Sequence, residues 1–413
     1  MHVEVINTGT ELLLGNVINT HLRFLAHALF TLGLRVERQV TVPDGDAIRL
    51  ALIESFPRAE IVLVTGGLGP TTDDLTREIV AGLLSLPLAH DETVMQAITE
   101  RFARRGIQMT ERVGRQAQVP QGATVLPNAH GTAPGLYLPP ATFEGRPAPH
   151  IFLLPGPPRE LNPMFEDSVL PILRRLVPGG TDLVCRIYRV TGLGESNVEA
   201  LVGEQLLAIP GLELGYCARP GEVDVRCIGT AEVVSRAETI LLPALGSHLV
   251  SLDERSLEQV VLDRLAALGK KVAIAESCTG GHIADALTNI PGASASFLAG
   301  LVTYANEAKS EFLGVHPALI AQYGAVSAPV ATAMARGALE RSNADFAIAT
   351  TGIAGPGGGT PEKPVGIVVI AVLAPGRDAY VRTFNFLGAR AQVKFQSTQA
   401  ALDRVRRMVS DNR

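Results

Sequence analysis

The chain has 413 residues, with 36 Lys and Arg against 41 Asp and Glu, and a formal net charge of −5. With 46% hydrophobic and 19% charged residues it is neither a disordered chain nor a broadly basic nucleic-acid binder, and it is too long for one core. Four cysteines (Cys185, Cys217, Cys227, Cys278) without Cys-x-x-Cys spacing exclude a disulfide framework, so reduced thiols and a cytoplasmic location are expected. No basic leader precedes the strand-like start Val3-Glu4-Val5-Ile6. The longest apolar run, 365–374, is too short to span a bilayer, so a soluble protein with no membrane partner is expected.

In chain order, 3–8 reads as a strand, 16–32 as a helix, 34–42 as a strand, 47–56 as a helix, 61–65 as a strand and 74–84 as a helix. Such alternation predicts right-handed crossovers and a mostly parallel, covered sheet. A late strand at 151–154 stops at Pro155-Gly156-Pro157-Pro158, and a helix carrying Leu161, Phe165, Leu170 and Leu173 follows. Residues 176–180 read as a linker. Beyond it, strands at 182–190, 212–217 and 222–228 with helices at 196–207 and 231–245 make a small α+β module. Val223, Val225 and Cys227 alternate there, as in a half-exposed antiparallel strand. No chemically suggestive cluster marks this module, and a structural role is expected. After Asp253 a third, α/β unit has strands at 272–275, 297–303, 346–350, 366–372 and 379–384 and helices at 330–341 and 391–409. The predicted fold is thus α/β: two parallel-sheet domains, 1–175 and 253–413, joined by an α+β domain, 176–252.

Two loops at strand ends stand out in the first domain, Thr8-Gly9-Thr10-Glu11 and the segment 65–76 containing Gly66, Gly67, Gly69, Thr71, Asp73 and Asp74. Ligands in open parallel sheets sit beyond the carboxyl ends of strands, and glycines there let backbone N–H groups close on a phosphate. Asp73, Asp74 and Glu11, with Asp44 at the same edge, are candidate ligands of a hard divalent cation that neutralises a diphosphate. The alternative is plain: Thr71, Thr72 or Asp73 caps a helix and the glycines turn the chain.

In the last domain, Glu276-Ser277-Cys278-Thr279-Gly280-Gly281 follows a buried strand and leads into a helical pattern at Ile283, Ala284 and Leu287. A hydroxyl there is expected among unpaired helix N-terminal amides, which suit a phosphate or an acyl-transfer oxyanion. Tyr304, Lys309 and the loop after Thr351 (Gly352-Ile353-Ala354-Gly355) add a phenol, an ammonium and a glycine-rich turn. A desolvated lysine or a tyrosine can activate a serine. The bland readings are an N-cap for Ser277 or Thr279, a half-buried strand position for Tyr304, a solvated helix charge for Lys309 and a small buried residue for Cys278.

The segments 8–15, 66–76, 131–135 and 154–158 resemble the molybdopterin-binding-like domain of the competence/damage-inducible protein A (CinA) family. Residues 254–413 resemble that family's C-terminal domain, and the central module its KH-like linker. The resemblance implies two hydrolases of pyridine-nucleotide salvage. One is a nicotinamide-nucleotide amidase, needing no cofactor, that converts nicotinamide mononucleotide to nicotinate mononucleotide and ammonia. In it Ser277 would be the nucleophile and Tyr304 and Lys309 its activators, while Thr279, Gly280, Thr351, Gly352, Gly355 and Arg390 would line the substrate site. The other is an ADP-ribose pyrophosphatase giving AMP and ribose 5-phosphate. Thr10, Gly66, Gly67, Gly69 and Thr71 would bind its substrate, and Asp74, Asp73, Asp44 and Glu11 a Mg, Mn or Co ion. Where the family usually carries Pro-Gly-Asp-Arg, this chain has Leu387-Gly388-Ala389-Arg390, and Lys394 stands where an arginine is common. A homodimer is expected, with no direct nucleic-acid contact. Two rival readings remain, a molybdopterin-type binding module and an interaction protein of competence or recombination.

Overall fold

The structure is a computed structural model that describes residues 1–177, 179 and 182–410. Positions 178 and 180 of the predicted linker lie outside the described residues. Contacts divide the chain into two compact units, Met1–Asp182 and Leu183–Arg413.

The first unit runs β1 (Val3–Thr8), α1 (His21–Phe30), β2 (Val36–Val42), α2 (Asp46–Ser55), β3 (Ile61–Thr65), α3 (Thr76–Leu83), α4 (Glu92–Arg105), β4 (Thr124–Leu126), β5 (Gly135–Leu138) and β6 (His150–Leu154). The sheet order is β2-β1-β3-β6-β5-β4, parallel through β6 and antiparallel beyond it. Strand β3 shows why its sequence is a continuous apolar run. Successive side chains point to opposite faces, so Ile61 and Leu63 join one core with Val5 and Phe152, while Val62 and Val64 join the other with Ile6 and Leu153. Each such side chain contributes about 1.5–3 kcal/mol on burial. The predicted 16–32 helix starts only at His21, because the Asn19 side chain accepts the His21 N–H at 3.0 Å and ends the preceding loop.

The second unit opens with β7 (Leu183–Thr191), α5 (Glu195–Leu207), β8 (Glu213–Arg219), β9 (Glu222–Thr230), α6 (Ala231–Leu245) and β10 (Leu249–Ser251), an antiparallel sheet ordered β8-β9-β7-β10. Val223, Val225 and Cys227 are buried on β9, but so is Asp224 between them, held by Arg189 and Arg219. There follow α7 (Leu257–Ala267), β11 (Val272–Glu276), α8 (His282–Thr288), β12 (Phe297–Val302), α9 (Asn306–Leu313), α10 (Ala328–Ser342), β13 (Phe346–Gly352), β14 (Ile367–Leu373), β15 (Tyr380–Asn385) and α11 (Arg390–Ser410).

The order of this sheet is β12-β11-β13-β14-β15. It is parallel only between β12, β11 and β13, and antiparallel for β14 and β15. Both large sheets are therefore mixed, with the parallel part that the strand pattern predicts and antiparallel strands added at one edge. The short link 374–379 can only return the chain as a hairpin, since a parallel crossover needs a dozen residues or more. What positions the chemistry is register: Glu276 stands beside Val302 on one side and Thr350 on the other. The turns at 277, 303 and 351 therefore open at one edge. None of the four cysteines is in a disulfide, and among the described residues no helix is long and apolar enough to cross a membrane.

Candidate active sites

In the first unit the ends of β1, β3 and β6 open onto a cavity of about 350 Å³ whose walls include Glu11, Asp44, Gly66, Gly67, Gly69, Asp73 and Asp74. A buried polar chain fixes its floor. Asn7 Nδ2 donates to Thr65 Oγ1 at 2.7 Å, Thr65 Oγ1 lies 3.0 Å from His21 Nδ1, and His21 Nε2 lies 2.6 Å from Gly156 O. A carbonyl only accepts, so Nε2 carries the proton and Nδ1 accepts from Thr65. Burial lowers the His21 pKa and keeps the ring neutral. The loops sit so close that Gly66, at φ 101°, could not carry a side chain: a Cβ there would lie 2.6 Å from Thr8 Oγ1. At Gly69 it would lie 2.4 Å from Asp74 Oδ2.

Thr10 and Thr71, expected to touch substrate, do something else. The N–H and hydroxyl of Thr10 both donate to Asp44 Oδ2, at 3.1 and 3.2 Å, and those of Thr71 both donate to Asp74 Oδ2. They are clamps on the acids and do not line the cavity. The hydrogen bond from Thr71 also holds the Asp73 carboxyl below its ordinary range. Among the described residues no three His, Cys, Asp or Glu side chains converge to hold a metal ion. The four acids share a rim without forming a protein-only cage. What the rim can offer is one or two carboxylates beside substrate phosphates, the usual way of holding magnesium.

In the second unit a cavity of about 280 Å³ is lined by Ser277, Cys278, Tyr304, Lys309, Thr351, Gly352, Gly355 and Arg390, among others. Lys309, on α9, is 1% exposed, and its Nζ lies 3.1 Å from Ser277 Oγ, 2.9 Å from Thr303 O and 3.1 Å from Tyr304 O. Among the described residues no carboxylate forms an ion pair with it, and burial lowers its pKa. A neutral amine has two N–H donors and one lone pair. Two donors for the two nearer carbonyls, with Ala305 O further off at 3.5 Å, leave the lone pair facing the Ser277 hydroxyl, the arrangement a general base requires. Burial pushes the Cys278 thiol up to about 12, so next to Ser277 it stays protonated and is a poor nucleophile.

Three expectations about this site change. The helix amides are not free for an oxyanion, because the fully buried Glu276 carboxylate takes those of Gly281 (3.0 Å), Ile283 (3.1 Å) and Ala284 (2.9 Å). Among the described residues the Cys278 and Thr279 N–H groups are the ones in this turn with neither a backbone nor a carboxylate acceptor. The Tyr304 phenol accepts from Arg390 Nη2 at 2.9 Å, and only its main-chain carbonyl meets Lys309. Thr279 and Gly280 lie off the cavity: Thr279 is buried against Thr350 Oγ1 at 2.8 Å. Thr351 donates to Ala325 O at 2.8 Å from the cavity wall, and Arg390 Nη1 donates to Gly355 O at 2.9 Å. Among the described residues the N–H groups of Gly355, Gly357 and Gly358 have no protein acceptor, which suits an anion beside Arg390.

Residues 254–409 match the domain family described as CinA C-terminal domain, and residues 4–175 the one described as probable molybdopterin binding domain. A CinA-like protein of Akkermansia muciniphila is 47% identical over 97% of this chain and 96% of its own. A protein of Moorella thermoacetica described as competence-damage inducible is 44% identical over 97% of each. Among solved structures, the competence/damage inducible protein CihA of Agrobacterium tumefaciens is 42% identical, covering 38% of this chain and 94% of its own, with a TM-score of 0.36.

Several site residues escape a reading of the sequence. His21 looks like an ordinary helix position, and Glu160, which lines the first cavity, looks like a helix surface acid. Glu276 was visible only as part of a motif; a carboxylate ending a buried strand just before a helix was the available signal. Because three charge-assisted hydrogen bonds end on it, Glu276→Gln, with one acceptor oxygen and no charge, is expected to lower unfolding stability by about 1–3 kcal/mol. Urea unfolding measures this, and a variant as stable as the parent would remove Glu276 from the framework.

Proposed function

The chain belongs to the CinA family, and on that premise we propose that its C-terminal site hydrolyses the carboxamide of nicotinamide mononucleotide. The observation that supports this most is the buried Ser277–Lys309 pair at 3.1 Å, beside a glycine loop and Arg390 suited to a phosphate. The domain division 1–175, 176–252 and 253–413 is part of the same proposal, as is a cytoplasmic homodimer.

In this reading Ser277 Oγ attacks the carboxamide carbon while its proton passes to Lys309 Nζ. The oxyanion is met by the Cys278 and Thr279 amides. The C–N bond then breaks, Lys309 returns the proton to the departing nitrogen, and ammonia leaves an acyl-enzyme. Water, giving a proton to Lys309, attacks the acyl carbon; Ser277 recovers its proton and the carboxylate product is released. Tyr304 holds Arg390 over the phosphate and takes no proton. No cofactor is assigned to this site.

For the N-terminal site we propose hydrolysis of ADP-ribose to AMP and ribose 5-phosphate. Asp74 and Asp44, each with one oxygen clamped by a threonine, would hold a divalent cation together with the diphosphate, and the cation would supply charge neutralisation there. The glycine turns at 67 and 69 bring backbone N–H groups to the same place, while the Gly66 N–H is taken by Leu154 O at 2.9 Å.

Ser277→Ala is expected to cut ammonia release from nicotinamide mononucleotide by on the order of a millionfold, since nucleophile and base act as a unit. Near-normal release would sink the assignment. Lys309 accepts a proton only when neutral, so the rate should rise with pH through an ionisation below the ordinary lysine value of about 10.4. Lys309→Met should abolish that limb. Stability follows the same sign: between the folded and unfolded pKa values the unfolded chain binds more protons, so stability rises with pH across that window.

Asp74→Ala should abolish AMP formation from ADP-ribose; unchanged, metal-dependent AMP release would refute its role. Binding of ADP-ribose without AMP, measured by calorimetry against a pterin, would instead leave the domain a binding module.

A further inference from the structure

Inside the second unit lies another cavity, of about 440 Å³, between the turns of the antiparallel sheet and the edge formed by β15 and α11. Three arginines reach it (Arg382, Arg404, Arg407) against one acid, Asp403. That acid is consumed: Asp403 accepts from Arg407 Nε at 2.7 Å and from Arg406 Nε at 2.8 Å. Arg382 and Arg404 have no carboxylate partner among the described residues. Each guanidinium instead lies over a ring, Arg404 at 4.4 Å from the Tyr380 centroid and Arg382 at 5.0 Å from that of Phe384.

Phe384 in turn stacks on Phe386, centroids 5.2 Å apart and planes 7° from parallel. At the base of the cavity Gln399 is 3% exposed; its Nε2 donates to Glu258 Oε1 at 2.9 Å, but its buried Oε1 has no donor. The Nε of Arg404 is likewise buried without an acceptor.

Buried polar atoms without partners are costly, and native structures keep few of them. Here an unmet acceptor and an unmet cationic donor belong to two side chains, Gln399 and Arg404, that line one space beside aromatic rings. The volume suits a small ligand and leaves too much room for plain packing between the two sheets. A ligand that answers these features needs an anion for two arginine forks and a flat face for the open side of Phe386. A nucleoside phosphate has both. We propose that this cavity is a third nucleotide site, separate from both hydrolytic sites and independent of the reactions assigned to them, holding a free nucleoside di- or monophosphate with its phosphate on Arg382 and Arg404.

The chain has no tryptophan, so Phe386→Trp places a single reporter in the cavity. Titration of the full-length Phe386→Trp protein with ADP is expected to give saturable fluorescence quenching. Adding Arg382→Gln and Arg404→Gln should weaken that response by at least about tenfold, whereas adding Ser277→Ala and Asp74→Ala should leave it in place. Absence of a saturable response, or one unchanged by the arginine substitutions, overturns the proposal. So does quenching by a ten-residue oligothymidylate but not by ADP, which would make the ligand a nucleic-acid strand. Should Phe386→Trp fail to fold, equilibrium dialysis of ADP with the parent chain decides: the arginine double variant should bind one ADP fewer per chain, and an equal number refutes the site.

Discussion

A buried carboxylate that has no ion-pair partner among the described residues holds the C-terminal site in shape. Glu276 ends the central strand and folds its oxygens back onto three amides of the following turn and helix. The positive end of that helix meets its negative charge, which is what makes such burial tolerable. The consequence is geometric. With both ends of the 277–281 turn pinned, by Glu276 on one side and by the Ser277 N–H on Thr350 O at 2.9 Å on the other, the serine hydroxyl has one place to go. Lys309 arrives at that place from α9, anchored by two strand-end carbonyls.

The two candidate sites solve one problem in different ways. Each lies at the carboxyl edge of the parallel part of a sheet, where loops converge and backbone amides point outward. The first site secures its acids with threonine hydroxyls and its floor with a neutral histidine, so its charge stays at the rim. The second buries its charge-bearing groups, and burial itself tunes them, lowering the Lys309 pKa while keeping the Cys278 thiol protonated. Serine and thiol stand side by side, and desolvation is what distinguishes them.

Much of this was legible in the residues. The apolar runs of β3 and β11 announce double-sided burial, and the glycine turns after them announce an open edge. The helix α4 was missed although its Asp91 cap, accepting from Val94 N at 3.0 Å, and its closing Gly106 are local signals, because its exposed face dilutes the apolar period. Other features belong to pairing across the chain and leave no local trace. The aim of the Tyr304 phenol depends on Arg390, which is 86 residues away. The occupation of helix amides by Glu276 cannot be read from spacing that fits a free N-terminus equally well. Strand β14 carries the same buried pattern as the parallel strands, and only the shortness of its link to β15 marks that pair as antiparallel. The aromatic and basic residues of the third cavity are scattered singly along the chain and gather only through folding.

Helix α11 spans Arg390–Ser410, so one rod carries the arginine of the Ser277 cavity at its first turn and Gln399 and Arg404 of the other cavity further along. Each residue of a helix advances the azimuth by about 100°. Substitutions at its exposed positions leave that spacing intact, whereas a change in its length does not. A single-codon insertion or deletion between 391 and 398 would swing every later side chain around the axis and pull one cavity out of phase with the other.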